Sequence, residues 1–160
     1  MDNKKSIEGG IYINNTQKIG NNLKVNYGFR YSSFFLLGNA SVNQYDEDFN
    51  ITATKYYKKG ELVKFYNGFE PRISTNYTLD NGHAIKASYT RTQQYQHLIS
   101  NSTLGLPTDI WLPSDTHIKP QTANQYSLGY YGSTKDRTFD FFTEVYYKSM
   151  NNVIDMLAKL

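Results

Sequence analysis

Leu23-Lys24-Val25-Asn26-Tyr27-Gly28-Phe29-Arg30-Tyr31-Ser32-Ser33-Phe34-Phe35 is the stretch that decides the fold. Leu23, Val25, Tyr27, Phe29, Tyr31, Ser33 and Phe35 fall on one side of an extended chain, and Lys24, Asn26, Gly28, Arg30 and Ser32 on the other. A period of two places one solvent on each face of a strand, and thirteen residues of it is long for a strand. The same alternation precedes it, with Ile7, Gly9, Ile11 and Ile13 against Glu8, Gly10, Tyr12 and Asn14, and a Gly20-Asn21-Asn22 turn lies between the two. Two long strands joined by a tight turn make a hairpin.

The unit recurs twice. Phe69, Pro71, Ile73, Thr75, Tyr77 and Leu79 oppose Glu70, Arg72, Ser74, Asn76, Thr78 and Asp80, and the run ends at Asp80-Asn81-Gly82, a strong hairpin signal. Residues 84–95 return with Ile85, Ala87 and Tyr89 against Lys86, Ser88 and Thr90. Tyr126, Leu128 and Tyr130 then alternate with Gln125, Ser127 and Gly129. A Ser133-Thr134-Lys135-Asp136 turn leads to Phe139, Phe141, Thr143, Val145 and Tyr147 against Asp140, Glu144 and Lys148. Residues 37–62 and 96–122 lose the period and read as long exposed loops, the second holding the single Trp. The expectation is an all-β antiparallel meander of six long strands in three hairpins.

The order short turn, long loop, short turn, long loop, short turn has a physical reading. Transmembrane barrels carry short turns at one rim, long loops at the other, and strands of about 9–11 residues whose lipid and lumen faces alternate. Tyr77, Tyr130 and Phe139 near the short turns, with Phe35, Tyr126 and Tyr147 near the loops, fit interfacial aromatic girdles. The rival reading is a soluble or surface-displayed antiparallel β-module binding carbohydrate or protein, which alternates equally well over short runs. Strand length favours the membrane. A pore or adhesin barrel is a third, weaker reading.

Composition narrows the function. Aromatic residues reach 16%, with Tyr 15 and Phe 9, a bias toward pleated sheets rather than helices. Net charge is +3 without any block of like charges, so nucleic acid is not an expected partner. The absence of Cys removes disulfides, thiol nucleophiles and thiolate metal sites. No run of 18 apolar residues is present, and Met1-Asp2-Asn3-Lys4-Lys5 opens no secretory signal, so the chain is expected to be cytosolic or not to start at a natural N-terminus.

Catalysis has little to work with. His83, His97 and His117 lack metal-ligand spacing, and Ser100, Ser102 and Ser114 lack a nucleophile elbow. Gly9-Gly10 has no P-loop lysine or following helix and reads as a bend in a strand. Asp46, Glu47 and Asp48 fit no calcium loop and read as a solvated tip. Asn-x-Ser/Thr tripeptides such as Asn39-Ala40-Ser41 read as chance. No enzyme, cofactor or metal is therefore expected. Recognition is expected on the long loops, where Tyr95, His97 and Trp111 are the candidate ligand-binding residues. For Trp111, flanked by Leu106-Pro107 and Pro113, a packing anchor is the favoured reading over ligand contact.

Specific strings then carry a resemblance. Phe69-Glu70-Pro71-Arg72, Ile85-Lys86-Ala87-Ser88-Tyr89, Gln94-Tyr95-Gln96-His97-Leu98, Leu106-Pro107-Thr108-Asp109-Ile110-Trp111, Ile118-Lys119-Pro120-Gln121, Gln125-Tyr126-Ser127-Leu128-Gly129-Tyr130 and Glu144-Val145-Tyr146-Tyr147-Lys148 occur in order. Over residues 7–155 the chain resembles the barrel of a TonB-dependent outer-membrane receptor, of the type with a carboxypeptidase-regulatory-like domain and related to the SusC-like importers. The resemblance implies a 22-stranded barrel around a plug, and a place in the Gram-negative outer membrane among its lipids. It further implies energy from a TonB complex acting on the plug, and an unknown cargo, whether siderophore, glycan, cobalamin or peptide, with a surface lipoprotein as a further partner. Residues 1–160 would then be a partial barrel domain lacking plug and signal peptide. Six strands leave two unpaired edges that hydrocarbon does not tolerate. Expressed alone, residues 1–160 are expected to transport nothing and to give no heat-modifiable, protease-resistant monomer in bilayers; appearance of that species would refute the fragment reading.

Overall fold

In the computed structural model the described residues are 5–79, 82–99, 110–134, 136 and 138–154. Asp80, Asn81, Ser100, Ser102, residues 106–109, Lys135 and the 155–160 end, all used in the sequence reading, lie outside them. Ten strands form: β1 (Lys5–Ile19), β2 (Leu23–Leu37), β3 (Ala40–Tyr45), β4 (Ile51–Tyr57), β5 (Leu62–Thr78), β6 (Ala84–Gln94), β7 (Gln96–Ile99), β8 (Ile110–Pro113), β9 (Gln121–Ser133) and β10 (Asp140–Asn151). The six long ones make a single antiparallel sheet in the order β1-β2-β5-β6-β9-β10, so neighbours in space are neighbours in the meander. The six-stranded meander is as expected.

The alternation sorts cleanly by register. Ile11 faces Tyr31, which faces Phe69, and Tyr27 faces Ile73, which faces Tyr89. Tyr89 in turn faces Tyr126, which faces Tyr147. These rows are the outer face, and its rings meet across strands: Phe35 and Phe65 lie 4.9 Å apart, Phe29 and Phe69 5.3 Å, Tyr89 and Tyr126 4.8 Å. Such pairs stabilise neighbouring strands by a few tenths to about 1 kcal/mol each. Among the described residues nothing covers this face: Ile11 is 72% exposed and Leu128 54%. An apolar face this large, left bare, is out of keeping with water.

The inner rows are polar. Thr16, Asn26, Ser74, Ser88 and Ser127 share one register line. They bond across it, Thr16 Oγ1 to Asn26 Oδ1 at 2.7 Å, Asn26 Nδ2 to Ser74 Oγ at 3.3 Å, and Ser88 Oγ to Ser127 Oγ at 2.8 Å. Above them Arg30 pairs with Glu8 at 3.6 Å.

The turns follow their residues. Gly20 takes φ +63° and Gly82 φ +81°, a left-handed backbone that a side chain opposes. At the third turn Asp136 accepts from Thr134 Oγ1 (2.7 Å) and Thr138 Oγ1 (2.6 Å). Bonds to the ionised form favour it, and the hydroxyl of Thr138 first and that of Thr134 next hold the Asp136 carboxyl down at about 2.

Three expectations are corrected. Residues 37–62 are not a plain loop: β3 and β4 form a hairpin there, and β5 begins at Leu62, seven residues before the expected Phe69. Residues 96–122 likewise contain the β7–β8 hairpin, with Gln96 opposite Pro113 and Leu98 opposite Trp111. In β3 and β4 both faces are largely wetted, so polar residues fill both and the period fades. The third correction is an apolar inner patch. Phe34, Leu36, Ala40, Val63 and Tyr95 form the buried cluster, on the loop-side end of the mainly polar face. A register shift opposite Leu36 and Leu37 makes Val63 the extra residue, and its side chain is buried in the cluster.

Leu128 and Ser127 are adjacent residues on opposite faces of β9. Leu128→Lys in the bilayer-inserted protein is expected to cost about 2–4 kcal/mol, and Ser127→Lys well under half of that. Denaturant titration in liposomes measures both, and equal costs would contradict the assignment of faces.

Candidate functional site

At the loop-side ends of the long strands the two small hairpins gather over the inner face. Tyr95 follows β6 directly. Its ring stacks on Phe34 with centroids 5.1 Å apart and planes 7° from parallel, and it is 1% exposed. Its hydroxyl lies 2.9 Å from Ser32 Oγ, which lies 2.7 Å from Glu70 Oε1. A carboxylate only accepts, so the single Ser32 proton goes to Glu70 and the Tyr95 hydroxyl donates to Ser32. Glu70 is buried too, and this relay is what makes its burial tolerable.

His97, two residues on, is 3% exposed, with Nε2 3.1 Å from Ser114 Oγ. Ser114 N–H donates to the Tyr95 carbonyl at 2.7 Å. Burial pushes the His97 imidazole below its ordinary value, because the charged form loses its water. The hairpin's far root is tied by Tyr66, whose hydroxyl donates to the Asp115 carbonyl at 2.7 Å. Asp115 Oδ1 accepts from the backbone N–H groups of His117 and Ile118, each at 2.9 Å, and so shapes the bend that leads into β9.

The β3–β4 hairpin leans on the same patch. Tyr45 meets His117 edge-on at 5.6 Å, above a cleft of about 150 Å³ with Leu36, Ala40 and Val63 at its floor and Asn43 at its rim. At the hairpin's tip Asp46 Oδ1 accepts from the N–H groups of Asn50 (2.8 Å) and Asp48 (3.0 Å). The Asn50 N–H above all holds the Asp46 carboxyl below its usual range. This acidic cluster is therefore a turn.

The three candidate residues part company. Tyr95 and His97 come together in the buried root of the β7–β8 hairpin, where they hold the hairpin to the wall. Trp111 sits on β8 and is 59% exposed, with Leu98 beside it across the pair. Leu106-Pro107, the flank on which the packing-anchor reading of Trp111 rests, lies outside the described residues. Tyr45 and His117 are rim residues that the sequence reading did not single out as a pair. The signal for the buried root was present: Phe34-Phe35-Leu36-Leu37 is apolar on both faces, which a watered inner wall does not require.

What the arrangement can do is hold and recognise. Polar wall, bare apolar exterior and roofed loop-side end form one consistent set, and comparison with known proteins agrees with it: residues 2–159 match the family model described as TonB dependent receptor-like, beta-barrel. The chain belongs to that family. No curated protein and no solved structure matches it.

For this TonB-dependent receptor barrel two outcomes follow from the hairpin root. Tyr95→Phe removes the donor to Ser32, a loss of about 1 kcal/mol, and is expected to raise the rate of protease cleavage in the β7–β8 hairpin about fivefold. An unchanged rate would show that the relay does not hold the hairpin. The depressed His97 value means that the docked form prefers neutral imidazole. Docking is complete above the unfolded value near 6.5 and weakens as pH falls below it. Protection factors of the 96–99 amides, corrected for the pH dependence of intrinsic exchange, are expected to fall from pH 7.5 to 5.5, and to stay level in the His97→Gln protein.

Proposed function

We propose that this chain is part of the wall of an outer-membrane receptor that imports, with energy from TonB, a ligand too large for porins. The observation that carries the reading is the uncovered apolar outer face, continuous across six strands of 11–17 residues, back to back with a hydrogen-bonded polar inner face. Lipid solvates the first and water or polypeptide the second. Strands β1 and β10 supply the two free edges of the sheet, 15 and 12 residues long. Hydrocarbon accepts no such row of unpaired backbone groups, so further strands of the same barrel complete the wall, and energy reaches it through a plug elsewhere in the protein.

The subtype proposed is the one related to SusC-like importers, in the Gram-negative outer membrane, with a surface lipoprotein as a further partner and no catalytic role. Siderophore, glycan, cobalamin and peptide remain the cargo classes. Among the candidates Trp111 is assigned ligand contact, because its ring is offered to solvent at the loop-side mouth, whereas Tyr95 and His97 position the hairpin that carries it.

Trp111→Ala in the full-length receptor is expected to lower ligand uptake at least tenfold while surface abundance and hairpin proteolysis stay normal. Normal uptake would remove Trp111 from the site. The membrane reading itself is checked by fractionation. A full-length protein that is monomeric and cooperative in plain buffer would overturn it in favour of a soluble β-module.

A further inference from the structure

The outer face carries almost no charge, and the little it has is all of one sign. Along its rows in the six long strands the described residues include no carboxylate and two cations, Lys5 and Arg91. Both stand toward the loop-side ends, Lys5 opposite Leu37 at the end of β2 and Arg91 close to the end of β6 at Gln94. Arg91 is exposed and, among the described residues, has no ion-pair partner. It faces Asn124, one outer row loopward of Tyr89, Tyr126 and Tyr147.

The ladder between β5 and β6 ends at the same level. These strands pair from Thr78 and Ala84 as far as Arg72 and Thr90 and no further, although β5 begins as far back as Leu62 and β6 runs on to Gln94. Pro71, the next residue of β5, has no N–H to offer. Beyond it a side chain bridges the gap, with Gln93 Nε2 donating to the Asn67 carbonyl at 3.1 Å. Hydrocarbon tolerates no row of unpaired backbone groups, and a cation on a lipid-facing strand is costly at the bilayer middle and costs little only near the interface. Two independent features thus place the polar boundary of the bilayer at Arg91.

At that boundary the polar groups offer donors. The Tyr89 hydroxyl donates to Asn124 Oδ1 at 3.0 Å, so the amide oxygen is engaged and its NH2 group is left to donate. Guanidinium and amide together then present only N–H donors, and the rings of Tyr89 and Tyr126, 4.8 Å apart, lie one row toward the apolar side. A phosphate matches a guanidinium bidentately, and a lipid carries its phosphate and its chains on one molecule, so a single ligand answers both the donors and the rings. A dissolved anion would answer the donors alone. We propose that Arg91 and Asn124 bind the phosphate of an anionic lipid in the leaflet at the loop side, its acyl chains lying along the outer face past Tyr126 and Leu128. This rests on the reading of the outer face as lipid-facing.

The test is native mass spectrometry of the full-length receptor extracted from outer membranes in mild detergent, with the retained lipid fragmented to read its phosphate. The wild-type protein is expected to hold a phosphate-bearing lipid, and Arg91→Gln to lower that occupancy at least fivefold. Asn124→Asp, which keeps an acceptor for Tyr89 but sets a negative charge at the site, is expected to do the same. Arg91→Lys is expected to retain part of the occupancy, and all three variants to keep normal heat-modifiable mobility. Equal occupancy in the wild type and Arg91→Gln, or retention of phosphate-free lipids only, would overturn the proposal. So would an Arg91-dependent mass of inorganic phosphate in place of the lipid, which marks a free-anion site. A heat-modifiable wild-type receptor that carries no lipid defeats the lipid site alone; one that stays dissolved in buffer without detergent defeats the membrane reading, and the lipid site with it.

Discussion

A single sheet must here satisfy its backbone sideways while its two faces meet different solvents, and everything else in the molecule is subordinate to that constraint. Each strand gives its N–H and C=O groups to its neighbours, so nothing on the backbone is owed to either face. Side chains are then free to be sorted by parity alone. Register becomes decisive, because a slip of one residue would send Arg30, Glu70 and Lys86 outward and Phe29, Phe69 and Ile85 inward. The tight turns guard against that slip. Gly20 and Gly82 take left-handed backbone at the first two, and the hydroxyls of Thr134 and Thr138 clamp Asp136 at the third.

The departure from parity at the loop-side end follows from the same constraint. On the proposed membrane reading the loop-side ends lie beyond the hydrocarbon, and a small β-hairpin is marginal in water unless it packs on something. The wall provides that support by turning apolar on its inner face for a short distance, through Phe34, Leu36 and the extra residue Val63. Tyr95 then docks there by stacking, and the buried carboxylate of Glu70 makes the dock directional through Ser32. The hairpins are thereby oriented by the wall rather than by their own weak sheets, and Trp111 can stay exposed without the loop losing its shape.

Legibility in the sequence tracks these physics. The six long strands were readable because their two faces have different solvents and so different residues. The first two short turns were readable from Gly and Asn, and the third from Ser, Thr and Asp. The four short strands were not, since β3 and β4 are wetted on both sides and β7 and β8 are only four residues each, too brief to display a period. The candidates fared according to what a residue type can reveal. Tyr95, His97 and Trp111 were chosen as recognition types on a loop, but exposure depends on what lies underneath, and the apolar inner patch that buries Tyr95 is assembled from β2, β5 and the β3–β4 hairpin. Only the tetrapeptide Phe34 to Leu37, apolar on both faces, hinted at it.

The outer-face cations mark a third case, a feature that is invisible along the chain and obvious across it. Lys5 and Arg91 look like ordinary polar residues of two separate segments, and no charge run flags them. Only the register sets both on the apolar face, and only the early end of the β5–β6 ladder shows that Arg91 stands where the pairing of the wall changes. Charge on that face is confined to the end where the backbone pairing of β5 with β6 also stops, so one boundary is marked twice, in side chains and in the main chain.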